Sequence, residues 1–175
     1  MNFFKNIFKK NKPTNKTSSS NKEEKSSFMP KIETPTDNRF VENFIKNGGK
    51  FLYSENENEV NKNIALIIEE NGWKKSSLFS LDKEISNRFK LDYSFLKNSK
   101  DETTCLISTC EYLIADDGSI LISSNQVAEK KLNELPEKII ILAKTDQLIN
   151  NISEGLSGIK NSGTSIPSNI TNLKH

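Results

Sequence analysis

The chain has 175 residues, 34% of them hydrophobic, and a formal net charge of +2, which suits one domain but is apolar-poor for a chain folded throughout. Residues 1–31 hold eight lysines against Glu23 and Glu24, a net of +6, so the remainder carries seventeen basic and twenty-one acidic side chains, a net of −4. A basic tail on an acidic body argues against a nucleic-acid-binding body, and no apolar run reaches the roughly 18 residues of a membrane span.

At the start, Phe3, Phe4, Ile7 and Phe8 fall at helical spacing with Lys5, Lys9 and Lys10 between them. The segment is too short and too lysine-interrupted for a secretion signal. It reads either as a weak contact with an anionic membrane surface or partner groove, or as a frayed terminus, which the marginal stability of short helices favours. Residues 9–31 are rich in Lys, Ser, Asn and Thr; they bury too little apolar surface to offset ordering entropy and read as a disordered linker. With no secretion signal, a cytoplasmic location is expected, where Cys105 and Cys110 stay free thiols.

Structure is expected to begin near Asp37, which can cap a helix over 38–47 with Phe40, Val41, Phe44 and Ile45 on one face and Gly48 and Gly49 as its stop. Residues 50–54 read as a short strand, 55–71 as a helix with a stripe of Val60, Ile64, Ile67 and Ile68 ended by Gly72, and 76–80 as a second strand. A short helix capped by Asp82 follows, and then a third strand over 90–95. Residues 103–109 read as a strand. Two β-type runs, YLIA and SILIS, then flank Asp117-Gly118, the strongest hairpin signal in the chain.

Residues 126–135 are a short helix or turn, and the aliphatic run in 138–144 is of the kind buried on both faces of a sheet. A helix over 145–159 would turn Leu148, Ile149, Ile152, Leu156 and Ile159 inward, and the last residues are loop-like. Helices alternating with strands predict an α/β sheet with flanking helices, interrupted by one antiparallel hairpin. The domain, residues 38–175, is large enough for a core that buries roughly two-thirds of its unfolded surface.

No metal site is expected, because Cys105 and Cys110 stand without further thiols and the sole histidine is His175. No glycine-rich phosphate loop follows a strand; Gly48 and Gly49 are a helix stop, and residues 158–165 read more simply as a surface connection than as a phosphate cradle. Asp116 and Asp117 are compatible with a general acid–base pair, since adjacent like charges raise one pKa. They are equally compatible with plain turn geometry. Ser123, Ser124, Asn125 and Gln126 end a buried strand, where open α/β sheets bind ligands, and would serve as well for a helix cap.

Residues 110–124, 130–152 and 166–171 resemble the LUD domain of lactate-utilisation proteins, and the leader, the linker and the NGGKFLY stretch look like small relatives of the Bacteroidetes type. The family's Ala-Glu-Thr-Gly turn is matched by Ala115-Asp116-Asp117-Gly118, its basic residue and Leu-Pro by Lys130 and Leu135-Pro136, and its Gly-Pro-Ser-x-Thr loop in weakened form by residues 166–171. The resemblance implies a Rossmann-like fold of the ribose-5-phosphate isomerase and CoA-transferase superfamily. It also implies a part in oxidising L-lactate to pyruvate beside partner subunits that carry iron–sulphur clusters, with no cofactor on this chain. The ligand expected is a small anion at Asp116, Asp117, Gly118, Ser119, Ser123, Ser124, Asn125, Lys130, Ser168 and Thr171.

Departures from the family pattern are Asp-Asp for Glu-Thr, Lys130 for an Arg with its bidentate fork, Ile166 for Gly, and an end at His175 ahead of the family's usual closing strand. A non-catalytic interaction module tethered through its basic tail is the alternative reading.

Overall fold

The structure, a computed structural model, describes residues 34–93, 104–128, 130–163 and 166–174. The leader and linker over 1–33 lie outside the described residues, as do the last part of the strand expected over 90–95, Thr103, part of the 158–165 loop and His175.

Among the described residues two four-stranded sheets form. The first has the order β2-β1-β3-β6, from β1 (Leu78–Ser80), β2 (Asp92–Tyr93), β3 (Cys105–Thr109) and β6 (Lys138–Leu142), and is parallel throughout. The second has the order β7-β4-β5-β8, from β4 (Tyr112–Ile114), β5 (Ser119–Ser123), β7 (Leu148–Ile149) and β8 (Ile170–Leu173). Here β4 runs parallel to β7 and antiparallel to β5, and β5 antiparallel to β8. The chain first crosses from one sheet to the other at Cys110 and Glu111, between β3 and β4, and returns to the first sheet for β6.

Side chains alternate cleanly across both sheets, as the period of two in a strand requires. Phe79 and Leu106 from the first sheet, and Leu113, Ile120 and Ile122 from the second, share one core with Phe40 of α1 (Thr36–Lys46). The opposite face of the first sheet, through Ile107, packs on Ile64 of α2 (Glu57–Glu70) and Ile85 of α3 (Lys83–Phe89). The opposite face of the second, through Ile114 and Leu121, packs on Ile159 of α5 (Ile152–Asn161). A four-residue helix α4 (Ser124–Val127) follows β5 directly. No helix among the described residues is long and apolar enough to cross a membrane.

Several local expectations hold. Asp82 caps α3 by accepting the amides of Glu84 and Ile85, and Gly48 stops α1 at a φ of +93°. The hairpin forms with a four-residue loop closed by the Gly118 amide donating to the Ile114 carbonyl at 2.9 Å.

Others are corrected. Asp37 sits inside the first turn of α1, and the cap position is Pro35, with no side-chain cap bond. Residues 50–54 form no strand, because no described residue supplies the partner ladder a strand needs: Leu52 and Tyr53 are 61% and 53% exposed, and the segment is held by Phe51, edge-on to Phe40, and by Ser54, which accepts from the Asn63 side chain at 3.0 Å. The run at 138–144 is an edge strand, half-buried on each face.

The helix expected over 145–159 begins only at Ile152. Leu148 and Ile149 leave it to pair with Leu113 and Ile114, and Asn151 caps α5 by accepting the Glu154 amide at 3.0 Å. Its inward face is also different: Ile152 and Leu156 are 40% and 43% exposed, and Gly155 and Gly158 lie against Tyr112 instead.

Candidate functional site

The ten candidate residues separate into two groups at opposite ends of β5. Ser119 and Ser123 are its first and last residues, about 14 Å apart at the rise of an antiparallel strand. Thr171 pairs with Ile122 and Ser168 bonds Ser124, so both lie towards the Ser123 end, away from the hairpin.

At the hairpin end both carboxylates and the carbonyls of Ala115, Asp116 and Asp117 have structural partners. The Asp116 carboxylate faces Arg39 at 3.4 Å, and its amide donates to the Asn150 carbonyl at 2.9 Å. Asp117 Oδ1 accepts the Ser119 hydroxyl at 2.5 Å and amide at 3.1 Å, while Oδ2 lies 3.6 Å from Lys174 Nζ. Partial burial pushes the Asp117 carboxyl up, but the two Ser119 bonds and Lys174 together outweigh it and hold it below its ordinary value of 3.8. The loop carbonyls are taken by α1: Asn43 Nδ2 donates to Ala115 at 2.9 Å and Asp116 at 3.1 Å, and Asn47 Nδ2 to Asp117 at 2.7 Å. Gly118 has φ +68°, and a Cβ there would collide with the α1 backbone at Asn43 and Phe44. The Asp116 carboxylate ties the hairpin to α1 through Arg39, whereas that of Asp117 is held by Ser119 within the hairpin and by Lys174.

The other end of β5 is built differently. Ser123 and Gln126 form a capping box at the start of α4. Both are buried, and both turn towards Glu111, which no step of sequence reasoning singled out. Glu111 Oε1 accepts from Ser123 Oγ at 2.6 Å, Gln126 Nε2 at 3.0 Å and Asn125 Nδ2 at 3.2 Å. Its Oε2 receives no donor among the described residues, and the residue is half-buried. Gln147 Nε2 holds the chain beneath, donating to the carbonyls of Cys110 at 2.5 Å and Glu111 at 3.2 Å. Ser124 closes the far side, accepting the Ser168 amide at 3.1 Å and donating its own to the Asn169 carbonyl at 2.9 Å.

Lys130 follows α4, its amide bonded to the Val127 carbonyl at 3.2 Å. Its half-buried side chain makes no hydrogen bond or ion pair with the described residues. The readable signal for this end was S-x-x-Q at 123–126; Glu111 itself is fifteen residues from its Gln126 partner, and nothing local announces it.

Cys105 and Cys110 are buried, and burial pushes each thiol up to about 12; neither is poised as a nucleophile. Among the described residues no group of three or more His, Cys, Asp or Glu is arranged to hold a metal ion.

No curated protein matches this chain. A crystal structure of a DUF162 family protein from Deinococcus radiodurans is similar to it, with a TM-score of 0.60 at 15% identity, covering 79% of this chain and 86% of that one. That likeness carries the fold, an α/β domain in which parallel and mixed sheets are flanked by helices. The family model of the LUD domain matches residues 38–175, so the chain belongs to the LUD domain family, which is linked in general to lactate utilisation.

Proposed function

We propose that this protein is an accessory component of L-lactate oxidation to pyruvate in the cytoplasm, binding a small anionic ligand while partner subunits carry the iron–sulphur clusters. The supporting observation is the LUD match across the whole α/β domain. The anion belongs at the α4 end of β5. There Lys130 has no partner among the described residues, whereas Arg39 and Lys174 at the hairpin are already paired with Asp116 and Asp117. The chain itself holds no cofactor in this reading.

Deleting the gene and measuring growth on L-lactate as sole carbon source tests the role. Growth is expected to fail and to return with the intact gene; unchanged growth would sink the assignment. The net charge of +6 over residues 1–31 favours a second reading, an interaction module tethered to an anionic surface. Under it, removing residues 1–31 abolishes co-sedimentation with phosphatidylserine vesicles; under the first, lactate growth is retained by the shortened protein.

A further inference from the structure

Glu111 stands between the end of β3 and the start of β4. Its carboxylate is asymmetric: Oε1 is saturated by three side-chain donors from the β5–α4 junction, two of them buried, whereas Oε2 has none among the described residues. A carboxylate oxygen has further lone pairs to offer, and the donors on Oε1 leave Oε2 fixed in place, so a group that binds there meets an acceptor already positioned. The network also sits just beyond the last residue of β3, where the chain leaves the parallel sheet, the end at which open α/β sheets bind their ligands.

Resting on the lactate reading above, we propose that Glu111 is the residue that reads the ligand's hydroxyl: Oε2 accepts a hydrogen bond from the 2-hydroxyl of a 2-hydroxy acid. The charge on Glu111 also sets the ligand's orientation. A second carboxylate beside it is repelled, so the hydroxyl points towards Glu111 and the carboxylate away from it, towards the cation of Lys130. The site then discriminates oxidation states. Lactate offers a hydroxyl donor; pyruvate offers only a carbonyl acceptor, which a carboxylate rejects.

The test titrates the full-length protein with L-lactate, L-2-methoxypropionate and pyruvate, followed by calorimetry or by amide NMR shifts. A hydrogen bond to a charged acceptor contributes about 1.5–3 kcal/mol, so L-lactate is expected to bind at least roughly tenfold more tightly than the methyl ether or pyruvate. Glu111→Gln keeps the side-chain length and can leave an oxygen on the three donors, but it turns the free end into a donor; it should erase or reverse the lactate preference. Equal binding of lactate and its methyl ether, or a preference that survives in Glu111→Gln, overturns the assignment of Glu111 while leaving anion binding intact. Binding of none of the three overturns it together with the ligand reading, and growth on lactate then judges the pathway role separately. Should Glu111→Gln fail to fold, the lactate-to-ether ratio of the unmodified protein still decides.

Discussion

Asn43, on the first helix, donates its side-chain amide to the carbonyl of Ala115 at 2.9 Å, across seventy-two residues of sequence. Together with Asn47 on Asp117 it locks the hairpin loop to α1, and Gly118 leaves no room for a side chain between them. The loop that most resembles the family's signature is therefore a packing joint.

Gly118→Val is expected to destabilise the domain strongly. The left-handed backbone costs a β-substituted residue about 1–2 kcal/mol, and overpacking against α1 adds about 1–3 kcal/mol. Gly72→Ala is the control: its φ is also positive, at +63°, but nothing lies within 4 Å of the added Cβ. Urea denaturation should show only the backbone cost, about 1–2 kcal/mol. Equal losses for the two would mean that α1 does not pack on the loop.

On α5, Gly158→Ala should destabilise although alanine is the better helix former, by up to about 2 kcal/mol net, because its methyl meets the Tyr112 hydroxyl and ring while the helix gains only about 1 kcal/mol. Ile152→Ala, on the exposed face, should cost within about 0.5 kcal/mol. Thermal melts that rank the two in the opposite order would restore the face predicted from the sequence.

Asp117 makes the hairpin sensitive to acid. Its folded pKa lies below 3.8, so its contribution to stability is fully present above 3.8 and is lost as pH falls through the lower, folded value. The stability gap between the native protein and Asp117→Asn should be open near neutral pH and should narrow as the pH is lowered below 3.8. A gap that stays constant in urea titrations over that range would show that Ser119 and Lys174 do not favour the ionised form.

Lys130→Ala is expected to leave the unfolding midpoint nearly unchanged, within about 0.5 kcal/mol, and to weaken binding of L-lactate at least about fivefold, the loss of a charge contact of about 1 kcal/mol. Calorimetry on the folded variant measures this. Unaltered affinity would move the anion elsewhere.

Both thiols, pushed up to about 12 by burial, should resist iodoacetamide in the native protein at about pH 8, because the thiolate is the reactive form. Labelling followed by mass spectrometry should show two adducts only after unfolding. Rapid labelling of either cysteine under native conditions would place it nearer the surface.

Much of the architecture was local enough to read in the chain. The stripe of Val60, Ile64 and Ile68 identifies α2, Asp82 marks the start of α3, and Asp117-Gly118 between apolar runs marks the hairpin, because periodicity, caps and turn glycines act within a few residues of one another. Tertiary partners decided the rest. Leu148 and Ile149 have helical neighbours in sequence but were claimed by the β4 ladder, and α5 turned its glycines inward because the Tyr112 ring fills the space a leucine would need. Which polar residues form a site was likewise outside local reach: the same short-range rules describe Asp117 and Glu111, yet folding pairs one with Ser119 and Lys174 and leaves the other with an oxygen that has no donor among the described residues.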